Sequence, residues 1–281
     1  MKVVDSISRM STLSKLLRKE GKTVGFVPTM GYLHEGHLSL VSTAKKHTDT
    51  VVASIFVNPL QFGPSEDFEK YPRDFKRDET LAMNGGVDIL FYPSLKEMYP
   101  EGHSTYIKVE NLTSGLCGAS RPCHFRGVTT VVAKLFGIVK PSVAYFGQKD
   151  AQQAYVIKKM AEDLNMDVEI KILPTVRESD GLAMSSRNIY LSDAERADAA
   201  VLYKSLTKAQ SLLEAGERRP EVIIREMTAM ISEAPSAKID YIHIVDTKSL
   251  KPVDMISGEV LVALAVLIGK TRLIDNIIKK V

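Results

Sequence analysis

Five short runs in the first two-thirds of the chain are apolar on successive residues: TVGFVPT (23–29), TVVASIFVN (50–58), VDILFYP (87–93), SVAYFG (142–147) and DVEIKILPTV (167–176). A strand with one wet face alternates apolar and polar residues, whereas a strand covered on both faces has no need to. Helical patterns separate the runs: HLSLVSTAKKH (37–47), FKRDETLAMNGG (75–86), GVTTVVAKLFGIVK (127–140) and DAQQAYVIKKMAEDLNM (150–166). Gly85 and Gly86 suit the end of the second of these helices. Strand–helix–strand alternation with short connections restricts this part to the α/β class, a parallel sheet with helices on both faces.

The character changes after residue 176. The stretch 192–217 reads as one helix, opened by a capping box of Ser192 and Glu195. A second helix is expected over 220–233 with Pro220 in its first turn, and strands over 238–246, 259–269 and 271–278. Two helices followed by clustered strands indicate a smaller α+β domain. A length of 281 residues accommodates both, with the division expected between 1–175 and 176–281.

Hydrophobic residues make up 44% and charged residues 25%, the balance of an ordinary globular protein. A net charge of +3 is too weak to indicate nucleic acid. Cys117 and Cys123 are too few for a disulfide framework. Their spacing, with His124 beside the second, fits no common zinc pattern, so loop or buried thiols are expected. Residues 1–22 are polar and amphipathic, unlike a secretion signal. The longest apolar run, VLVALAVLIG (260–269), is about half of what crosses a bilayer. A cytoplasmic location with no membrane partner is the expectation.

Parallel strands of an open sheet end at a common edge, where ligands bind. Polar clusters fall at the expected ends: Pro28-Thr29-Met30-Gly31, Asn58-Pro59-Leu60-Gln61, Gly147-Gln148-Lys149-Asp150 and, beyond the fifth strand, Ser185-Ser186-Arg187-Asn188. Gly21-Lys22-Thr23 and Gly269-Lys270-Thr271 end like phosphate loops, but Leu16 and Leu264 stand where the earlier glycine is required. No G-x-G-x-x-G follows the first strand. The remaining phosphate candidate is FVPTMGYLHEGHLSL (26–40). Gly31 and Gly36 allow close backbone approach, a helix start offers N–H groups and a positive dipole end, and His34 and His37 can donate to phosphate oxygens. By itself, H-x-x-H reads more readily as two surface or packed histidines. The spacing of three excludes the zinc-protease H-E-x-x-H pattern.

PTMGYLHEGH (28–37) resembles the nucleotide-binding signature of the class I aminoacyl-tRNA synthetase and nucleotidylyltransferase superfamily, and MSSRN (184–188) its second, mobile signature. FVNPLQF (56–62), YPRD (71–74), HFRGV (124–128), FGQKDAQQ (146–153) and SDGLAMSSRN (179–188) follow in order, and together they make the chain similar to the pantoate–β-alanine ligase family. The resemblance implies a Rossmann-like domain that binds ATP and pantoate and a C-terminal lid domain carrying the MSSRN loop. It implies a carbon–nitrogen ligase working with ATP and Mg²⁺ through a pantoyl adenylate, and a homodimer.

The same resemblance implies the site. Met30 would offer its backbone N–H near the reacting carboxylate. His34, Gly36, His37, Lys149, Ser185, Ser186 and Arg187 would serve the phosphates, with His37 a donor rather than an acid. Gly147 and Asp150 would contact the nucleotide, Val176 and Met184 would line the adenine pocket, and Gln61 and Gln153 would hold pantoate; no residue is assigned to a metal. Taken without the family, the glutamines read as surface residues, Lys149-Asp150 as a charged helix start, and Val176 and Met184 as core. Arg121, Tyr71, Arg73 and Asp78 lie in or near the family motifs without an assigned role. Cys123 departs from the pattern, since the family usually has glycine there; a site needing positive φ would strain a cysteine. Two other classes compete. Another nucleotidylyltransferase leaves Gln61 and Gln153 unexplained; the other is a non-catalytic nucleotide- or RNA-binding protein, and against RNA stand the near-neutral charge and the missing aromatic–basic array.

Overall fold

The computed structural model describes residues 1–64 and 66–281. They group into two compact units. The first comprises Met1–Val109, Arg121–Gly147 and Gln153–Pro174, and the second Glu110–Ser120, Gln148–Gln152 and Thr175–Val281.

The first unit is built on six strands: β1 (Lys2–Val4), β2 (Val24–Thr29), β3 (Thr50–Ile55), β4 (Ile89–Phe91), β5 (Val143–Gly147) and β6 (Glu169–Leu173). They lie in the order β1-β4-β3-β2-β5-β6, and every pairing is parallel. The unbroken apolar runs have the expected cause. All six residues of β3 are buried, as are Val24 to Val27 on β2. On one face Val27, Ala53 and Leu90 pack with Leu40, Val41 and Ala44 of the helix Glu35–His47. On the other, Phe26 meets Phe136 of the helix His124–Val139 edge to face, with centroids 6.4 Å apart. Covering both faces makes alternation unnecessary.

β3 and β4 extend the sheet on one side of β2, and β5 and β6 extend it on the other. The strand order therefore reverses at β2, the position where open α/β sheets bind their ligands. The segment from Met30 to His37 follows the carboxyl end of that strand.

In the second unit, β7 (Ala237–Asp246), β8 (Glu259–Ile268) and β9 (Thr271–Lys280) form an antiparallel sheet in that order. Leu202, Leu206, Ile223, Met227 and Ile231 from the helices Val201–Glu214 and Pro220–Ser232 bury their side chains against Val262, Leu264 and Val266.

The structure adds three details. β1 is a three-residue strand at the sheet edge, too short to register as a pattern. The stretch 192–217 is two helices, Asp193–Ala199 and Val201–Glu214, meeting at Ala200. The capping box is present, with Ser192 accepting from the Glu195 N–H and Glu195 accepting from that of Ser192. The helix expected from residue 37 begins at Glu35, two residues earlier than its apolar pattern, because His34 caps it.

Candidate active site

The turn after β2 shapes the first part of the site. Gly31 has φ +85°, and an added Cβ would lie 3.0 Å from both Asp78 Oδ2 and Ile55 Cγ2. Only glycine combines that dihedral with that clearance. The N–H groups of Tyr32 and Leu33 donate to the Asp78 carboxylate at 2.6 and 2.7 Å. Asp78 lies on the helix Phe75–Asn84, so this helix pins the turn from outside it. Burial pushes the Asp78 carboxyl above its ordinary range, against the pull of the two N–H groups and of Arg77. The Arg77 guanidinium lies 4.5 Å from the Tyr32 ring centroid. Asp78, which had no assigned role, holds the shape of the loop that carries Met30 and His34.

His34 is the N-cap of the helix Glu35–His47. Its Nδ1 accepts from the Gly36 N–H at 3.2 Å, and His37 Nδ1 accepts from the His34 N–H at 3.3 Å. Two acceptor Nδ1 atoms fix the tautomer of each neutral ring with its proton on Nε2, leaving Nε2–H as a donor. The ring centroids are 4.0 Å apart, so two N–H donors are paired at the positive end of one helix.

Gln61 ends a 3₁₀ turn, Pro59–Gln61, and is buried. Asn58 Nδ2 donates to its Oε1 at 2.9 Å and to the Gly127 carbonyl at 3.0 Å, while the Tyr99 hydroxyl donates to Asn58 Oδ1 at 2.9 Å. The Gln61 amide is thus oriented, with Nε2 as its donor end. Gly127 allows the turn to sit directly on the helix His124–Val139, since a Cβ there would be 2.1 Å from the Leu60 carbonyl oxygen. Arg121 also serves this region: Nε and Nη2 reach Glu66 at 2.8 and 2.5 Å, and Nη2 donates to the Gln61 carbonyl at 3.2 Å. Burial pushes the Glu66 carboxyl up, but Arg121 outweighs it and holds the group below its ordinary value. Tyr71 is buried, with its ring 5.8 Å from that of Phe62, and Arg73 donates to the carbonyls of Phe68, Glu69 and Tyr71. Gln153 is half-buried in the first turn of the helix Ala151–Asp163. Gly147 closes β5, and nothing stands within 4 Å of where its Cβ would be.

Cys123 has φ +71° in the turn before the helix His124–Val139, and its side chain caps nothing. The backbone there is the left-handed conformation that favours glycine. The cysteine is exposed, whereas Cys117 is buried.

In the second unit, Lys149 and Asp150 belong to the turn Gln148–Asp150, with Lys149 Nζ 3.9 Å from Asp150 Oδ2. Val176 and Met184 are brought together: the Met184 N–H donates to the Val176 carbonyl at 3.0 Å, and the Glu178 N–H donates to that of Leu182 at 2.8 Å. The hairpin so formed leads directly into Ser185, whose hydroxyl accepts from the Arg187 N–H at 3.2 Å as it caps the 3₁₀ turn Ser186–Tyr190. Asn188 Nδ2 ties this turn back to Glu178 Oε1 at 2.7 Å and to the Ala183 carbonyl at 3.2 Å. Met30, His34, Gly36, His37, Gln61, Gly147 and Gln153 belong to the first unit, and Lys149, Asp150, Val176, Met184, Ser185, Ser186 and Arg187 to the second.

The first unit also has an open cleft of about 610 Å³, lined by Met30, Gly31, Phe56, Asp74, Asp78 and Glu97 among others. Its lining includes neither histidine and neither glutamine, and its carboxylates, Asp5, Asp74, Asp78 and Glu97, outnumber the single cation among its described residues, Arg73, so phosphate chemistry is not assigned to it.

A model of the family described as pantoate-beta-alanine ligase matches residues 2–278. The pantothenate synthetase of Heliobacterium modesticaldum is 58% identical over 281 residues, covering 100% of both chains. The crystal structure of pantothenate synthetase from Thermus thermophilus is similar with a TM-score of 0.94 and 45% identity, covering 99% of both chains. A pantoate-beta-alanine ligase from Francisella tularensis, complexed with beta-gamma ATP and beta-alanine, has a TM-score of 0.82 and 36% identity, covering 99% of this chain and 97% of that one.

Proposed function

This chain belongs to the pantoate–β-alanine ligase family, and on that premise we propose that it condenses pantoate with β-alanine at the expense of ATP, giving pantothenate, AMP and pyrophosphate. The observation that carries the reading to these residues is the pair of imidazoles at one helix start, each with its proton assigned to Nε2. Such a pair offers hydrogen bonds to the charge that grows on phosphate oxygens without supplying a nucleophile.

In the first step a pantoate carboxylate oxygen attacks the α-phosphorus of ATP and expels pyrophosphate, leaving pantoyl adenylate. Charge grows on the phosphate oxygens, and donors fixed beforehand stabilise it most. His34, His37, Lys149, Arg187, Ser185 and Ser186 are assigned to that task. Gly36 and Gly147 give the nucleotide clearance, Asp150 accepts from ribose hydroxyls, and Val176 and Met184 take the adenine. Gln61 and Gln153 hold pantoate, and the Met30 N–H meets its carboxylate. In the second step the β-alanine amine attacks the acyl carbon, AMP leaves, and the amine gives up its proton.

Among the described residues, no group of three or more His, Cys, Asp or Glu side chains could hold a metal ion. Mg²⁺ is assigned to the substrate, arriving on the phosphates of ATP. Along the chain, ATP and pantoate binding are assigned to 1–175, and the loop bearing Ser185 to Arg187 to the domain 176–281. Among the described residues no helix is long and apolar enough to cross a membrane. A cytoplasmic homodimer that binds neither membrane nor nucleic acid completes the proposal.

The test is exchange of labelled pyrophosphate into ATP, measured with Mg²⁺. Exchange that requires pantoate, followed by AMP release that requires β-alanine, is the expected result. Purified, folded protein inactive in both measurements would overturn the reading.

A further inference from the structure

The strand β9 lies outside the family motifs, which span residues 28–188, yet two adjacent residues on it hold both segments of the second unit assigned to the nucleotide. Neighbouring residues on a strand point to opposite faces. Asp275 and Asn276 are both buried on β9, where they pair with Leu264 and Ala263 of β8.

Asn276 reaches the turn that bears Lys149. Its Nδ2 donates to the Gln148 carbonyl at 2.9 Å and to the Lys149 carbonyl at 3.0 Å. Gln148 Nε2 returns a bond to Asn276 Oδ1 at 3.3 Å. One amide therefore takes the carbonyls of two successive residues, which fixes both peptide planes of the turn.

On the opposite face, Asp275 makes a two-pronged contact with Arg177, Nη1 to Oδ2 at 2.6 Å and Nη2 to Oδ1 at 3.0 Å. Arg177 Nη1 also donates to the Gly181 carbonyl at 3.1 Å, across the hairpin that ends at Met184, and its guanidinium lies 3.9 Å from the Tyr203 ring centroid. Burial pushes the Asp275 carboxyl up against the pull of Arg177, of the Asn276 N–H and of the Lys149 charge. A buried ion pair of this kind adds little net stability compared with apolar packing. Stability is therefore a poor account of why two polar residues stand side by side and buried within the otherwise apolar run 273–278.

We propose that Asp275 and Asn276 are positioning residues of the active site: from the two faces of one strand they hold the Lys149 turn and the hairpin leading to Ser185–Arg187 in a single fixed arrangement. The proposal rests on the ATP-dependent reading given above. Neither residue is assigned a contact with substrate, and both act through the groups that make one.

The experiment is a double-mutant cycle of Asn276→Leu with Lys149→Ala, read by the dissociation constant for a non-hydrolysable ATP analogue and by pantoate-dependent pyrophosphate exchange. If Asn276 acts through Lys149, Asn276→Leu weakens analogue binding about 10-fold in the parent, but less than about 2-fold once Lys149 is alanine. Exchange falls about 10- to 100-fold in the single variant, with the pantoate KM unchanged. Equal losses of analogue affinity in both backgrounds would overturn the proposal, as would unchanged binding and exchange in Asn276→Leu. If the leucine variant does not fold, Asn276→Ser, which is smaller and cannot span both carbonyls, is carried through the same cycle. A parent that binds the analogue but shows no pantoate-dependent exchange would overturn the proposed function instead, while the binding cycle would still decide the positioning.

Discussion

At His34 one ring nitrogen caps a helix while the other carries the N–H assigned to phosphate, so substitutions separate the two tasks. Asparagine is a good cap and alanine is not, a difference of about 1 kcal/mol. His34→Asn is expected to keep the parent's urea midpoint while losing about 10²- to 10³-fold in pyrophosphate exchange, the scale seen when one preorganised donor is removed. His34→Ala loses the same activity and also unfolds earlier. Parent-like exchange in His34→Asn would remove His34 from the phosphate site. Cys123 offers a second test. Left-handed backbone costs a non-glycine residue about 1–2 kcal/mol, and glycine gives back about 0.5–1 kcal/mol through its freer unfolded chain. Cys123→Gly is therefore expected to stabilise the protein by up to about 1.5 kcal/mol, read as a higher urea midpoint with an unchanged slope. A lower midpoint would show that the cysteine makes contacts that outweigh its strain at φ +71°.

The Pro59–Gln61 turn and the helix His124–Val139 touch where Gly127 has no side chain. Glycine within a helix is normally a weakness, and alanine would gain about 1 kcal/mol. Here the sign reverses, because a Cβ 2.1 Å from the Leu60 carbonyl oxygen must push the turn away. Gly127→Ala is expected to cost about 1–3 kcal/mol of stability through overpacking. It also displaces Gln61, so the pantoate KM rises while the ATP KM holds. Equal rises in both KM values would argue that Gln61 is not the pantoate ligand. The two elements show what a sequence can convey. The helix was legible from its apolar pattern, and Gln61 from its motif. Asn58 was legible as a member of the same polar cluster, but its part in orienting Gln61 through contacts to Gly127 and Tyr99 was not, because those partners lie 69 and 41 residues away. Local pattern likewise marks strands that are covered on both faces, but not a three-residue edge strand such as β1, nor the helix break at Ala200, which neither glycine nor proline announces.

At the scale of the whole chain, order in sequence and membership in a compact unit diverge, which is why local patterns reveal less of the second unit than of the first. Glu110–Ser120 and Gln148–Gln152 group with Thr175–Val281. Their ties are polar and long-range. The Gln152 amide donates to the carbonyls of Leu112 and Gly115 at 2.9 Å and accepts from the Cys117 N–H at 3.0 Å, and Ser120 donates to Asp240. Arg272 closes the set, donating to the same Asp240 at 2.7 Å and lying 3.7 Å from Cys117 Sγ. Nothing in the separate spellings of these segments announces such a network. If they are part of the second unit energetically as well as geometrically, loosening its core must loosen them. Met227 is fully buried in that core, and Met227→Ala is expected to cost about 2–5 kcal/mol. Amide hydrogen exchange would then show protection falling together in the helices Val201–Glu214 and Pro220–Ser232 and in residues 110–120 and 148–152. Residues 148–152 keeping their parent protection while those helices lose theirs would show that the Lys149 turn is not held by this unit. The positioning assigned to Asn276 would then have no rigid base from which to act.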